Sequence, residues 1–241
     1  MTVAQVPNNS RMGQARPDVE HDGAFRATLD PLLSDFDAGR IDGAGFQQGV
    51  LAALEGDDVQ RVIGTAADQA RSAGADVTIW RKDFGGRDIT VSIIHLQPGE
   101  VHPPHHHHNV TSVQVILEGA ISGREYDRIR RIDENHVLLK PLFAGELPVG
   151  SRLLAHEWSR NAHWFVAGRD GPALIFNCNA RGFEQTTFDP ADGRALGRKL
   201  LHPAREAMAE GVVAREIDVP EAYATYANIV PETWGPAVRQ G

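Results

Sequence analysis

The sequence predicts a mainly β protein, an antiparallel sandwich or barrel with short helices ahead of it and a short helical extension behind. Three observations predict this. About eight short strand-like segments follow Asp76, separated by turn signals such as Gly85-Gly86, Pro98-Gly99, Pro148–Gly150 and Gly168–Gly171. About fifty residues with helical apolar spacing precede them. Four consecutive histidines, His105 to His108, stand just ahead of a β-patterned run that stops at Gly119.

The chain has 241 residues, one cysteine and a formal net charge of -8 with histidine neutral. That length suits one large domain, or one domain with extensions. The excess of acid and the lack of a Lys/Arg-rich block argue against nucleic acid and anionic membrane surfaces as partners. No stretch approaches the roughly 18 apolar residues that a membrane span needs. The N-terminus has no apolar region of the secretory type. Cys178 has no partner for an internal disulfide, and a reducing, cytoplasmic setting is expected.

Residues 1–23 read as a disordered lead-in and residues 24–75 as a helical extension. Phe25, Leu29, Leu32, Leu33 and Phe36 recur at steps of three and four. Pro31 interrupts that run, so the helix is expected to start near Asp30, with Pro31 in the first helical position. Phe46, Val50, Leu51 and Leu54 mark a second helix that Gly56 closes. A third opens at Asp57-Asp58 and ends at Gly74.

The period changes at Asp76, and residues 76–183 read as the barrel. Strands are expected at Asp76–Lys82, Ile89–Leu96 and Ser112–Glu118, with Ala120–Asp127 as the hairpin partner of the last. Further strands fit Asn135–Lys140, Arg152–Glu157, His163–Ala167 and Pro172–Asn177. Residues 184–241 read as an extension packed on the barrel, helical at Pro203–Glu210 and again at Val219–Ile229.

The chemistry concentrates in Pro98–Gly119. Side chains two apart on a strand share a face, so the histidine run offers two imidazole pairs, His105/His107 and His106/His108. Two neutral imidazoles on one face begin a metal site, and a third histidine completes it. Whichever pair is left over is expected to face outward at the barrel mouth. His102, before Pro103-Pro104, is expected in a loop, and His156 near a strand end.

Here the sequence resembles the cupins, whose first motif is a glycine turn, H-x-H, a glutamate three or four residues on, and a glycine six residues after that. Gly99, the histidine run and Gly119 take those places, and Ser112 stands where most cupins carry the ligand glutamate. Ser112, Gln114 and Ile116 then share the inward face. Asn161-Ala-His163-Trp-Phe-Val-Ala-Gly resembles the second cupin motif and nominates His163. The spacing to Ser112 favours His105 and His107 over His106 and His108. The resemblance covers roughly residues 77–179 and implies a cupin double-stranded β-helix, a jelly-roll barrel.

Three histidines without the glutamate are similar to the thiol dioxygenases, cysteine dioxygenase and its relatives, and to the diketone-cleaving dioxygenases. That resemblance implies Fe(II) held by His105, His107 and His163, with a small-molecule substrate and O2 as partners. Arg81 stands at a distance before the histidines similar to that of the carboxylate-binding arginine of cysteine dioxygenase. Gln114 and Ser112 would face the metal as candidate catalytic groups. Asn177 and Asn179 occupy the places of the histidine and tyrosine that follow the third ligand in that family, so no cysteine–tyrosine crosslink is available. A non-oxidative metal enzyme such as a lyase or isomerase, or a small-ligand-binding cupin, is the alternative. Pairing through sheet edges, common among cupins, implies a homodimer.

Overall fold

A computed structural model describes residues 23–188, 197–208 and 210–226. The N-terminal lead-in and the end of the expected last helix lie outside them. Among the described residues the chain forms four helices and eleven strands. The helices α1 (Gly23–Asp37), α2 (Gly43–Ala53) and α3 (Asp57–Ala73) come first. The strands are β1 (Val77–Asp83), β2 (Asp88–Leu96), β3 (Val101–His108), β4 (Val110–Glu118), β5 (Ile121–Arg131), β6 (His136–Leu147), β7 (Arg152–Ala155), β8 (Ala162–Ala167), β9 (Ala173–Arg181), β10 (Gly197–Met208) and β11 (Gly211–Ile217). Helix α4 (Val219–Tyr226) follows them. The protein is mainly β, as its turn spacing predicts.

The helices end where local chemistry dictates. Asp42 caps α2 by accepting from Gly45 N at 2.8 Å, and Gly74 closes α3 in the left-handed conformation. Helix α1 departs from expectation because it runs through Pro31 instead of starting there. Pro31 lies on the exposed side, while Phe25, Leu29, Leu33 and Phe36 on the other side are buried. Burying such a side chain is worth about 1.5–3 kcal/mol. Four of them outweigh the roughly 3 kcal/mol that an interior proline costs.

The strands form two units. One is a five-stranded sheet in the order β1-β2-β9-β4-β7; the other is a closed six-stranded barrel, β10-β11-β6-β5-β8-β3. The helices cover the outer face of the five-stranded sheet. Phe36 stacks on Phe46 and Phe183 at centroid distances of 5.1 and 5.8 Å, and Phe25 stacks on Phe176 at 6.3 Å. Val113, Leu174, Phe176 and Cys178 belong to this layer. Its inner face meets the barrel through Ile116, Leu153 and Ile175 from the sheet and Ile121, Leu147 and Phe165 from the barrel. The barrel lumen holds Tyr126, Leu139, Ala162, Trp164, Leu201 and Ala214.

Two expectations from local sequence fail. Residues 120–127 do not return as a hairpin on β4, which lies between β9 and β7, while β5 joins the barrel. Gly119, at φ 80°, makes this crossing, and a Cβ there would sit 2.5 Å from the Pro172 carbonyl oxygen. The Pro203–Met208 part of the expected helix Pro203–Glu210 is strand, not helix. It belongs to β10, which pairs with β11 and with the histidine strand β3 and so closes the barrel. A free strand edge is a tertiary demand that local helical spacing does not register.

Candidate metal centre

All four histidines of the run lie within β3, and so does His102, expected in a loop. Strand alternation divides them between two environments. His105 and His107 face the layer between sheet and barrel, whereas His106 and His108 face the lumen. The expectation that the second pair would point outward is not met, since His106 and His108 are both buried. The closed barrel has packing on both faces of β3, so no side of that strand is left to solvent.

Strand β8 delivers the third imidazole, because His163 pairs directly with His105 in the β3–β8 ladder and shares its face. His105, His107 and His163 converge, each offering one ring nitrogen within 4.8 Å of the others. His107 Nε2 and His163 Nε2 are 3.4 Å apart. Two nitrogens on one ion, at bonds of about 2.1 Å and angles of 90–110°, would be about 3.0–3.4 Å apart. The His105 ring lies 4.8 Å from that of His107 and 4.6 Å from that of His163. Its Nδ1 donates to the Pro103 carbonyl at 2.8 Å, which leaves the lone pair on Nε2. Burial holds His105 and His107 well below the usual imidazole range, reinforced by neighbouring histidines. It brings His163 down to about 4, with help from Arg198. Three neutral imidazoles are the protonation state that a metal requires.

The lumen set also brings three donors within 4.8 Å: His106, His108 and Glu216. Its chemistry differs. Arg128 donates to His106 Nδ1 at 2.9 Å, so His106 Nε2 carries its hydrogen and donates to Glu216 Oε1 at 3.0 Å. Arg131 and Lys199 also hold the Glu216 carboxylate, at 3.1 and 3.2 Å. Arg128 in turn pairs with buried Glu157 at 2.9 Å. Burial would raise the Glu216 carboxyl, but His106, Arg131 and Lys199 together hold it far below the carboxylate range. Three cations balance this network, and His106 is satisfied at both nitrogens. The interlayer set is the better cation site.

Opposite the three imidazoles, the inner face of the five-stranded sheet is polar. Gln114 donates to Asn177 Oδ1 at 3.1 Å, and Asn177 donates to Ser92 Oγ at 3.2 Å. Ser112 pairs in register with Asn179. Ser112 Oγ, Gln114 Oε1 and Asn179 Oδ1 are buried without hydrogen-bond partners among the described residues. Ser112, Gln114 and Ile116 thus share the inward face, as the period-2 pattern predicts. Gln47 of α2 secures this strand from behind, donating to the carbonyls of Ser112 and Ala155 at 3.0 and 2.9 Å.

Arg81 lies apart from the histidines, exposed on the edge strand β1. Its register row runs through Thr90 and Asn179 to Ser112, which places it three strands from Ser112. At about 4.8 Å per strand that is roughly 14 Å. His156 joins neither set and is half-buried, its Nδ1 accepting from Trp158 N at 3.4 Å. The sequence reading missed Glu125, which stands directly opposite His163 in the β5–β8 ladder. Its carboxyl is buried and pushed up by that burial, Arg160 pairs with one oxygen at 2.5 Å, and Oε1 has no partner among the described residues. Arg198, also missed, pairs with His107 across β3–β10. Neither has a spacing signature, because both reach the site through strand pairing.

No protein-family model matches the chain, and no curated protein matches it in sequence. Solved structures do align with it in part. A Bacillus halodurans protein aligns at a TM-score of 0.35 and 16% identity over 47% of this chain and 76% of its own. Oxalate oxidase aligns at 0.31 and 12% over 46% of this chain and 44% of its own, so the overlap spans less than half of that enzyme. The Cellulomonas parahominis L-ribose isomerase aligns at 0.30 and 15% over 39% of this chain and 49% of its own.

Proposed function

We propose that the chain is a metal-dependent cupin enzyme, with Fe(II) held by His105, His107 and His163 and O2 used to oxidise a small organic substrate. The observation that carries this reading is the convergence of three buried, neutral imidazoles beside a wall of uncharged polar groups. A carboxylate at position 112 would add a negative charge to that set, and Ser112 does not. Fe(II) held by these three imidazoles would supply redox chemistry with O2.

The chain's own residues would prepare the site. The Pro103 carbonyl fixes the His105 tautomer, and strand pairing fixes His163 against His105. Ser112, Gln114 and Asn179 offer three unspent polar atoms to a substrate. Phe165, stacked against His102 at 4.7 Å, walls one side and excludes water. A thiol acid of the cysteine dioxygenase type is the preferred substrate class on sequence resemblance, with a C–C-cleaved diketone or ketone next.

A non-oxidative reading, such as a lyase or isomerase using a Lewis-acidic metal, draws on Glu125, a buried carboxyl beside His163 that could move a proton. Metal analysis of untagged protein, joined to an O2-electrode screen of small thiols and diketones, tests both. Bound iron with substrate-dependent O2 uptake, lost in His163→Ala, is expected. Full turnover under anaerobic conditions would replace the first reading with the second.

A further inference from the structure

Arg128 and Glu157 form an ion pair at 2.9 Å with side chains only 0% and 1% exposed. Neither belongs to the three imidazoles of the metal centre. Desolvation offsets most of the attraction in so enclosed a pair, so net stability is a weak reason for its presence. Its contacts supply a better one.

The pair grips the backbone at two points beside the metal centre. The β3–β8 ladder ends at His106 and Ala162, one residue short of His107. There the His107 N–H donates to the Asn161 carbonyl at 2.8 Å, and the His107 carbonyl accepts from Arg128 Nη1 at 3.1 Å. The other arm of the guanidinium, Nη2, donates to Glu157 Oε1 at 2.9 Å. Glu157 Oε2 in turn accepts from the backbone amide of Asn109 at 2.7 Å. Asn109 is the single residue between β3 and β4, and its φ of 51° puts it in the left-handed conformation. Asn161 holds both partners, its Oδ1 accepting from the Arg128 amide at 2.8 Å and its Nδ2 donating to the Glu157 carbonyl at 2.6 Å.

The consequence is geometric. Strand β3 belongs to the barrel and β4 to the five-stranded sheet, so the chain changes unit at Asn109. His105 and His107 lie before that corner, and Ser112 and Gln114 lie after it. A guanidinium presents its donors as a rigid planar fork, which ties the His107 carbonyl and the corner amide into one frame through Glu157. We infer that Arg128 and Glu157 are positioning residues of the metal centre, which hold His107 in place and set the imidazoles against the polar wall of Ser112 and Gln114. They act through the backbone and touch neither metal nor substrate. This inference rests on the metal-centre reading above. His106 provides the contrast, because its ring accepts from the same Nη1 at 2.9 Å, and removal of that ring leaves both backbone contacts in place.

Replacing both members of a buried pair by apolar groups commonly preserves stability, whereas removing one leaves a charge uncompensated. The double variant Arg128→Met/Glu157→Leu therefore separates position from stability. The readout is Co(II), whose visible absorption reports the geometry of its ligands. The double variant should melt within a few degrees of the native protein, yet bind Co(II) at least tenfold more weakly and with an altered spectrum. Arg128→Lys keeps the charge beside Glu157 but lacks the fork, so it should show the same change in smaller measure. His106→Ala should keep the native affinity and spectrum. Should the double variant fail to fold, Arg128→Lys decides alone. Native Co(II) affinity and spectrum in either variant of the pair would overturn the inference and leave the metal centre standing. An equal loss in Ile63→Ala, a change to the buried face of α3, would overturn it too, by showing that any weakening of the fold has this effect. Failure of the native chain to bind Co(II) at all would remove the metal-centre reading and this inference with it.

Discussion

Glu125 stands directly across the β5–β8 ladder from His163, and each holds one buried polar atom without a partner among the described residues, Oε1 on the acid and Nδ1 on the imidazole. Opposed side chains on one face of an antiparallel pair have Cβ atoms about 4.5–5.5 Å apart, within the span of a carboxylate–imidazole hydrogen bond. A carboxylate accepting from Nδ1 would fix the tautomer of His163 with its Nε2 lone pair turned toward His107. Such partners commonly contribute 10–100-fold in metal affinity. Glu125→Gln is therefore expected to weaken metal binding by about that factor with the fold intact, as read by competition with a chromophoric chelator. Unchanged affinity would show that the carboxyl serves only Arg160.

The two histidine sets should separate in mutagenesis. His105→Ala, His107→Ala and His163→Ala should each remove bound metal with only a small loss of stability. His106→Ala should keep the metal and lose stability instead, since it leaves Arg128 and Glu216 short of a buried partner. That costs about 1–3 kcal/mol, or roughly 2–12 °C in Tm for a chain of this size. Metal content and thermal melts on the same samples decide the assignment, and loss of metal in His106→Ala would reverse it.

Acid should destabilise the metal-free protein through its histidines. Burial lowers His105 and His107 well below the usual range, His106 and His163 to about 4 and His108 to about 2. The unfolded chain takes up protons near 6.5 that the folded chain refuses, so stability is complete above that pH and falls as pH drops toward 4. Each such histidine contributes up to about 1.4 kcal/mol per pH unit in that window. Tm measured from pH 7.5 to 4.5 should decline steeply below about 6.5. A flat profile would show that these groups are solvated.

The helices should behave as part of the core. Phe46 is buried and stacks on Phe36 against the five-stranded sheet. Phe46→Ala is expected to cost about 3–5 kcal/mol in urea unfolding. It should also loosen metal binding, because α2 carries Gln47, which ties β4 to β7 behind Ser112.

Much of this protein is legible in its residues because the signals are local. The acidic start of α3 at Asp57-Asp58 and its cap at Gly74, the period-2 face of Ser112, Gln114 and Ile116, and the H-x-H spacing all act within a few residues. The sequence by itself determined a mainly β protein with leading helices, and it nominated the three histidines that the structure brings together. Strand pairing decided the rest. It sent β5 away from β4, made Pro203–Met208 strand where helix is expected, buried His106 and His108 in a charged lumen, and set Glu125 and Arg198 beside the imidazoles. The physical reason is that a strand's partners are chosen by open edges and buried faces far away in the chain. One residue of register decides which side chains meet, and nothing within a short window encodes it.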